Sequence, residues 1–166
     1  GIRYLYEPME FDFARMCNMG AKAAGGEFLL FLNDDVELVP ESHLREMRNL
    51  AARPGVGTVG MKLYYPHSKK IQHAGINNLP MGPVHKLQFL DDSAVYYYGM
   101  NRGLRNVLAV TAACVMVEAE KFWEAGGFEE SLRVAFNDVA LGFRMYEMGY
   151  RNVCMCNSFA YHHESL

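Results

Sequence analysis

A short apolar run that ends in three polar residues constrains this chain more than any other feature of its sequence. Residues 28–32 are Phe-Leu-Leu-Phe-Leu, and Asn33, Asp34 and Asp35 follow directly. An uninterrupted apolar run of this length, preceded by two glycines, is typical of a β-strand that is buried on both faces. Open α/β sheets bind ligands at the carboxyl ends of their strands. The two acids are therefore candidate ligand-binding residues.

Two neighbouring carboxylates in such a place need a cation to compensate them. They repel each other, and burial beside apolar side chains removes their hydration. A divalent metal that carries a phosphorylated ligand is the simplest compensation. The alternative is structural, because Asn and Asp are also preferred in turns, and the run alone does not separate these two interpretations.

The composition indicates one globular domain and argues against nucleic-acid binding. The chain has 166 residues, of which 51% are hydrophobic and 21% are charged, enough for a substantial core. The net charge is −3, and the scattered Lys and Arg residues form no basic run that would bind a polyanion. No apolar stretch reaches the length of about 18 residues that a membrane span needs. The four cysteines are expected to be reduced, as in a cytoplasmic protein.

Several ligand classes are disfavoured by motifs that the sequence lacks. It contains neither G-x-x-x-x-G-K-[ST] nor G-x-G-x-x-G, the motifs of P-loop NTPases and of nicotinamide-binding enzymes. Four histidines, at positions 43, 67, 73 and 85, also lack the spacing of a zinc site. Of these, His73 and His85 lie in a long irregular region and are candidates for contact with a polar ligand.

The beginning of the chain is predicted to form a parallel strand-helix-strand unit. Residues 2–6 have the pattern of a strand, and residues 13–24 carry an apolar stripe typical of a helix that ends at Gly25 and Gly26. The strand at 28–32 would complete the unit.

Further helices and strands are predicted along the rest of the chain, with one long irregular region. That region, residues 66–103, is longer than most loops, and such loops are usually functional or mobile. Its three consecutive tyrosines, 96–98, either line a pocket or pack against the fold. The other predicted elements are a helix over 40–52, strands over 56–64, 105–117 and 150–161, and helices over 120–125 and 138–148.

Two later pairs of polar residues are candidates to converge with the acids. Asn137 and Asp138 stand at the start of a predicted helix, where they either cap it or place a general base in a cleft. An Asp has an ordinary pKa of about 3.9, so it is ionised at neutral pH. His162 and His163 end a predicted strand, and only one of them can face a given site, because neighbouring strand residues point to opposite faces. A single strand histidine is more often structural than functional.

Several short segments along the chain carry a resemblance to a known family. They are residues 15–20, 26–35, 65–66, 71–75, 109–114, 126–130, 136–139 and 161–165. In order and spacing they resemble the family 2 glycosyltransferases, particularly the rhamnosyltransferase-like branch that builds bacterial surface polysaccharides. The resemblance implies the GT-A fold, an α/β architecture with a mixed sheet flanked by helices.

The resemblance also implies a single partial domain over residues 1–166. Residues 1–40 would end the donor-binding half, and residues 41–166 would form the acceptor and catalytic half. The front of the family's fold, which holds the nucleotide base, would be incomplete, so we expect the chain to bind donor poorly and to be inactive alone. The alternative is a catalytically inactive module that binds glycan or packs against a partner.

The resemblance assigns a role to each polar pair. Asn33, Asp34 and Asp35 would stand for the family's D-x-D-type motif and bind the donor. Asp35 would also bind a divalent metal, Mn²⁺ or Mg²⁺, together with His162. Asp138 would deprotonate the acceptor hydroxyl.

Further roles follow from the same resemblance. Thr111 would contact the donor, and His73 and Asn137 would contact the acceptor. The implied reaction is an inverting transfer from a dTDP- or UDP-sugar to a glycan or lipid-linked acceptor, in the cytoplasm and with possible attachment to the inner membrane face. Two residues depart from the family pattern: Ala140 replaces a usual acid, and Ala112 stands where Gly is common.

Overall fold

The computed structural model describes residues 2–163 and contains four helices and nine strands within that range. The last residues of the matching segment 161–165 lie outside the described part. In chain order the elements are α1 (Phe13–Ala23), β1 (Phe28–Leu32), β2 (Val36–Leu38), α2 (Leu44–Ala51), β3 (Val56–Tyr64), β4 (Ile71–His73), β5 (Ile76–Leu79), β6 (Gly82–His85), β7 (Leu104–Val107), β8 (Cys114–Glu118), α3 (Ala119–Glu124), α4 (Asn137–Glu147) and β9 (Arg151–His162).

Seven of these strands form one mixed sheet. Its main order is β1-β8-β3-β9-β2, while β4 pairs with β3 and β7 pairs with β9. Only β3 and β9 run parallel to each other, and the other pairs of this sheet within residues 2–163 are antiparallel. Strands β5 and β6 form a separate two-stranded sheet. The predicted α/β class with a mixed sheet flanked by helices is confirmed.

Helices cover both faces of the sheet because its central strands are apolar on both sides. On one face, Met47 and Leu50 of α2 pack with Met61 of β3. On the other face, Phe122 of α3 and Leu141 of α4 belong to a second core cluster, which also includes residues of α1. Burial of these side chains supplies most of the stabilisation of such a fold.

A close contact fixes α4 against the segment that precedes β8. A Cβ added to Gly142 would overlap Ala109 and would lie 2.9 Å from the carbonyl oxygen of Leu108. Only glycine allows the helix to approach this closely. The contact brings the first turn of α4 next to residues 111–113, where the candidate site lies.

The predicted strand-helix-strand unit at the beginning of the chain is wrong. Residues 2–6 are exposed and form no strand, and β1 pairs antiparallel with β8. Strand β1 is also not buried on both faces. It lies at an edge of the described sheet, so Leu29 and Phe31 face the core while Leu30 and Leu32 are exposed.

Other predictions of secondary structure were partly correct. The strand at 56–64 is confirmed with its bounds, and the predicted strand at 105–117 is two strands separated by residues 108–113. Helix α2 begins later than predicted, because residues 39–42 form a turn instead. In that turn the Ser42 hydroxyl accepts from the N–H of Val39 and donates to the carbonyl of Phe159. Within residues 2–163, no helix is long and apolar enough to cross a membrane.

Candidate functional site

A cavity of about 310 Å³ lies where the end of β1, the start of β8, the start of α4 and the end of β9 meet. Five of the residues predicted from the sequence line it together: Asn33, Thr111, Asn137, Asp138 and His162. They come from four distant parts of the chain. The fold therefore brings the predicted pairs to one place.

The turn that carries the acids is held by the strands on both sides of it. The Asn33 N–H donates to the carbonyl of Ala113 at 3.0 Å, which fixes the end of β1 beside β8. The Asp35 carbonyl accepts from the N–H of His163 at 2.9 Å and ties the turn to the end of β9. Asp34 is exposed and is not among the described residues that line the cavity.

Asp35 and His162 face each other in an arrangement suited to a metal ion. Their Oδ1 and Nε2 atoms are 3.1 Å apart, yet this buried Asp35 oxygen accepts no hydrogen bond from any described residue. On the far side of the ring, Nδ1 of His162 lies 2.8 Å from Oε1 of Gln72. Because an amide oxygen only accepts, Nδ1 carries a proton, and Nε2 is the ring atom that faces Asp35.

These two residues fit a divalent cation. Two ligands that bind one octahedral ion at about 2.1 Å each lie about 3 Å apart, close to the spacing of Oδ1 and Nε2. Within residues 2–163, no group of three or more His, Cys, Asp or Glu side chains could hold a metal. A cation at this place would thus have only two described protein ligands, which is the usual case when substrate phosphates and water complete the shell.

Asp138 also lines the cavity, at the start of α4. Neither Asn137 nor Asp138 is the N-cap, so a capping role is wrong, while Asp138 does lie in the first turn, where an acid interacts favourably with the helix dipole. The N-cap is Phe136, with a left-handed backbone (φ 65°) and no side-chain group that can cap. The Asp138 carboxylate instead accepts from the N–H of Ala112 at 3.2 Å and from that of Val139 at 2.8 Å.

His73 lies behind the cavity wall rather than in it. It is fully buried, and its Nε2 accepts from the N–H groups of Gly75 at 3.2 Å and Thr111 at 3.4 Å. Burial lowers the pKa of His73 well below its ordinary value, and His85 and His162 lower it further. The predicted direct contact of His73 with an acceptor is therefore wrong, because this neutral ring supports the wall from inside.

Two further residues belong to the site: His85, which the sequence offered as a candidate for contact with a polar ligand, and Gln72, which was given no role from the sequence. His85 lines the cavity, and its Nδ1 lies 2.8 Å from Nδ1 of His73. Since Nε2 of His73 accepts from backbone N–H groups, the proton of that ring is on Nδ1 and is donated to His85. Gln72 orients His162. Gln72 and His73 are neighbours in one strand, and neighbouring strand residues point to opposite faces. This pattern could have predicted that only one of them faces His162.

Comparison with known sequences decides the family. Residues 1–112 match the family described as Glycosyl transferase family 2. This chain belongs to glycosyltransferase family 2. It is 39% identical to the O-antigen biosynthesis protein RfbC of Myxococcus xanthus over 93% of its own length, and 39% identical to the uncharacterized protein y4gI of Sinorhizobium fredii over 99%. It spans only 12% and 18% of the lengths of these two relatives.

Solved structures share its fold. The mannosyltransferase PcManGT from Pyrobaculum calidifontis, in complex with GDP-Man and Mn²⁺, matches 89% of this family 2 chain with a TM-score of 0.57 and 16% identity. GalNAc-T7 with UDP, GalNAc and Mn²⁺ matches 96% with a TM-score of 0.68 and 11% identity. The chain covers 35% and 32% of these structures. The predicted GT-A fold is thereby confirmed.

Proposed function

We propose that this chain is the metal-binding and catalytic part of an inverting glycosyltransferase that transfers a sugar from a nucleotide-diphosphate donor to a surface-glycan acceptor. The observation that carries the proposal is the cavity that His162 and Asp138 both line, with Asp35 in contact with His162 behind it. Sequence motifs from separate parts of the chain thus meet in an arrangement that can serve one reaction.

The proposed metal is Mn²⁺ or Mg²⁺. When bound, it would neutralise the negative charge that grows on the diphosphate as the glycosidic bond breaks. Asp35 and His162 would hold it, and the hydrogen bond from Nδ1 to Gln72 orients the ring so that Nε2 is the nitrogen offered to the metal. A carboxylate suits both metals, and the imidazole favours Mn²⁺ over Mg²⁺. The solved Mn²⁺ complexes of the same fold support this choice.

Asp138 is proposed as the general base. As the acceptor oxygen bonds to the anomeric carbon, its proton passes to the Asp138 carboxylate, and the bond from the same carbon to the diphosphate oxygen breaks. The nucleoside diphosphate leaves with the electron pair of that bond. A single displacement of this kind inverts the anomeric configuration. The N–H groups of Ala112 and Val139 orient the carboxylate for this proton transfer.

The remaining predicted residues are assigned by their position. Asn33 and Thr111 line the cavity and are proposed to contact the donor, together with the exposed Asp34, which follows Asn33 in the chain. Asn137 lines the same cavity on the Asp138 side, where we propose that the acceptor binds. The side-chain amide of Asn137 donates to the carbonyl of Leu132 at 3.2 Å and holds the approach to α4.

The substrate class follows from the relatives. RfbC is named for O-antigen biosynthesis, and we propose a related acceptor here, either a glycan or a lipid-linked precursor. We propose that the transferred group is a rhamnosyl or hexosyl group from a dTDP- or UDP-sugar. We further propose a cytoplasmic location, at the inner face of the membrane where the acceptor is lipid-linked. The four cysteines are free thiols, as expected in a reducing compartment.

The test is sugar transfer by the longer protein that contains this chain. Purified protein is incubated with Mn²⁺, a panel of dTDP- and UDP-sugars and a saccharide acceptor, and products are detected by mass spectrometry. Asp138→Asn should lower the transfer rate by about 10²-fold or more, since it removes the base. Glu147→Gln, at the exposed end of the same helix, is the matched control and should retain activity.

The result also decides between the two candidate functions. If Asp138→Asn transfers sugar as fast as the unchanged protein, the assignment of the base is wrong. If the unchanged protein shows no transfer with any donor and yet binds saccharide, the alternative of a non-catalytic glycan-binding module replaces the proposal. The absence of an acid at Ala140 is the feature that favours this second candidate.

A further inference from the structure

A second depression adjoins the cavity and is not used by the proposed reaction. We call it the aromatic groove, and its volume is about 740 Å³, against about 310 Å³ for the cavity. Val84 and His85 line both. The groove is therefore continuous with the cavity. Its lining consists of Asn77, residues 84–90, Tyr97 and Met100.

Phe89 is exposed to solvent in the groove although it is held in a fixed position. It is 65% exposed, and its ring stacks on Tyr65 with centroids 5.5 Å apart and an angle of 6° between the planes. The side-chain amide of Gln88 donates to the Tyr65 hydroxyl at 3.0 Å, and the Phe89 N–H donates to the carbonyl of Ile71 at 2.8 Å. Tyr97, which is also exposed, lines the same groove, and several exposed aromatic rings in one groove are typical of a binding surface.

Tyr97 is presented by a second rigid segment. It is 74% exposed and lies in a turn that is anchored by the buried carboxylate of Asp92. That carboxylate accepts from Lys62 at 2.6 Å, from Asn101 at 2.6 Å and from Arg102 at 2.8 Å. Groups that are ordered before binding lose less entropy when a ligand arrives.

The backbone of the groove is strained at three of its lining residues. Leu87, Phe89 and Tyr97 have positive φ angles of 57°, 67° and 43°, which are uncommon for residues other than glycine. Such strain persists only where the surrounding structure imposes it, and it is concentrated at ligand-binding sites. The fold thus holds these side chains at an energetic cost.

We propose that the aromatic groove binds the saccharide chain of the acceptor beyond the unit that reacts. This inference rests on the proposed function, because it continues the acceptor side of the cavity. Sugar rings have an apolar face that packs on aromatic rings and a rim of hydroxyls that needs hydrogen bonds. The groove offers Phe89 and Tyr97 for the first, and Asn77, Lys86 and Gln88 for the second.

A saccharide suits this lining better than the other occupants of such a surface. An acyl chain cannot form hydrogen bonds with the amide and ammonium groups of the groove, so these groups would lose hydration without gaining new partners. Among the described residues that line it, none is acidic, so both neutral and acidic sugars are accepted. We assign the nucleotide of the donor to the metal pair, because its diphosphate needs the cation that Asp35 and His162 would hold.

Titration of the ¹⁵N-labelled chain with saccharides tests the groove without any catalysis. The saccharide probes are rhamnose, mannose and galactose oligosaccharides of one to four units. A decyl chain is tested separately, as the probe for an acyl ligand. Amide shifts should appear at residues 84–90 and at Tyr97, and the affinity should rise with chain length. Phe89→Ala and Tyr97→Ala should each weaken binding about tenfold, the size of one aromatic contact.

Tyr98 provides a matched control, and Phe89→Tyr should restore binding. Tyr98 is adjacent, fully exposed and also has a positive φ of 58°, but it is not among the described groove residues. Tyr98→Ala should therefore leave affinity unchanged. Equal losses in the Tyr97 and Tyr98 variants, no shift in the groove, or a preference for the decyl probe would overturn the proposal.

Kinetics of the longer protein separate this proposal from the proposed function. If transfer occurs, Tyr97→Ala should raise KM for a trisaccharide acceptor about tenfold and leave donor hydrolysis unchanged. Transfer with an unchanged KM in this variant would refute the groove and leave the function standing. Saccharide binding in the groove without transfer by the unchanged protein would support the groove and refute the proposed function.

Discussion

The buried ion pair that anchors the aromatic groove provides a sharp test of how the fold is held. Lys62 and Asp92 have side chains that are each 4% exposed. The Lys62 ammonium donates to Asp92 Oδ2 at 2.6 Å, to the carbonyl of Cys156 at 2.9 Å and to that of Asn101 at 3.3 Å. The perturbation is Lys62→Met, which keeps the apolar stem and removes the charge.

The expected loss of stability follows from the partners that remain. Breaking a buried ion pair from one side costs about 3–5 kcal/mol, because the other charge is left without compensation. Here Asp92 keeps the hydroxyl of Tyr64, the amide of Asn101 and the guanidinium of Arg102. We therefore expect the lower end of that range, about 3 kcal/mol, or a fall in Tm of about 6–12 °C for a chain of this size.

Urea denaturation of the purified chain, followed by circular dichroism, measures this loss. The exposed Lys69→Met is the control and should change the free energy of unfolding by less than about 0.5 kcal/mol. Adding Asp92→Asn to Lys62→Met should cost less than the sum of the single changes, with a coupling above about 1 kcal/mol. A loss below 1 kcal/mol, or additive single changes, would refute this description of the pair.

The same pair sets the response to acid. Burial raises the pKa of Asp92, but the hydrogen bonds from Lys62, Tyr64 and Asn101 outweigh it and place the pKa below the ordinary 3.8. A lowered pKa means that this contribution is complete above about pH 4 and is lost as the pH falls below 3.8. Urea titrations between pH 3 and 7 should show this acid loss, and Asp92→Asn should lack it.

Three further predictions concern the metal, the packing of α4 and the thiols. Gln72→Leu should lower Mn²⁺ affinity about tenfold in isothermal titration, because His162 loses the acceptor that fixes its tautomer. Gln72→Glu should restore the affinity. Equal affinity in both variants would show that Gln72 plays no part in the metal site. Gly142→Ala should lower the free energy of unfolding by about 2–3 kcal/mol in urea denaturation, since the added Cβ has no room. Gly20→Ala is the control, because its Cβ would face open space in α1, and it should not lower the stability of the chain. Burial raises the pKa of the Cys17 thiol to about 12, so iodoacetamide at pH 8 should alkylate it far more slowly in the folded chain than in urea; equal rates would contradict its burial.

The sequence predicted best what depends on local pattern. The strand at 56–64 was found with its bounds because it is mostly apolar, although Thr58 and Lys62 interrupt the pattern, and it is buried on both faces. Residues 2–6 have a strand pattern too, but a strand also needs a partner, and no described strand pairs with them. The exposed face of β1 was missed for a similar reason, since position within a sheet is not encoded in five residues.

The sequence predicted those residues of the candidate site that belong to recognisable motifs. Asp35, Asp138 and His162 come from short segments that the family resemblance ties to chemistry, and the fold brings them together. Gln72 was given no role, because it works through His162 of another strand, and the pairing of His85 with His73 was missed because the two rings come from different strands. The burial of His73 was missed for the same reason: only the packed structure shows which side of the wall its ring occupies.

The most direct test of the central claim is the location of Mn²⁺ on the chain itself. Paramagnetic broadening of amide signals in the ¹⁵N-labelled chain reports which residues lie next to the ion. We predict that residues 33–36 and 161–163 broaden first, and that His162→Ala abolishes this pattern. Broadening that is centred elsewhere, or that persists in His162→Ala, would contradict a metal held by Asp35 and His162 opposite Asp138.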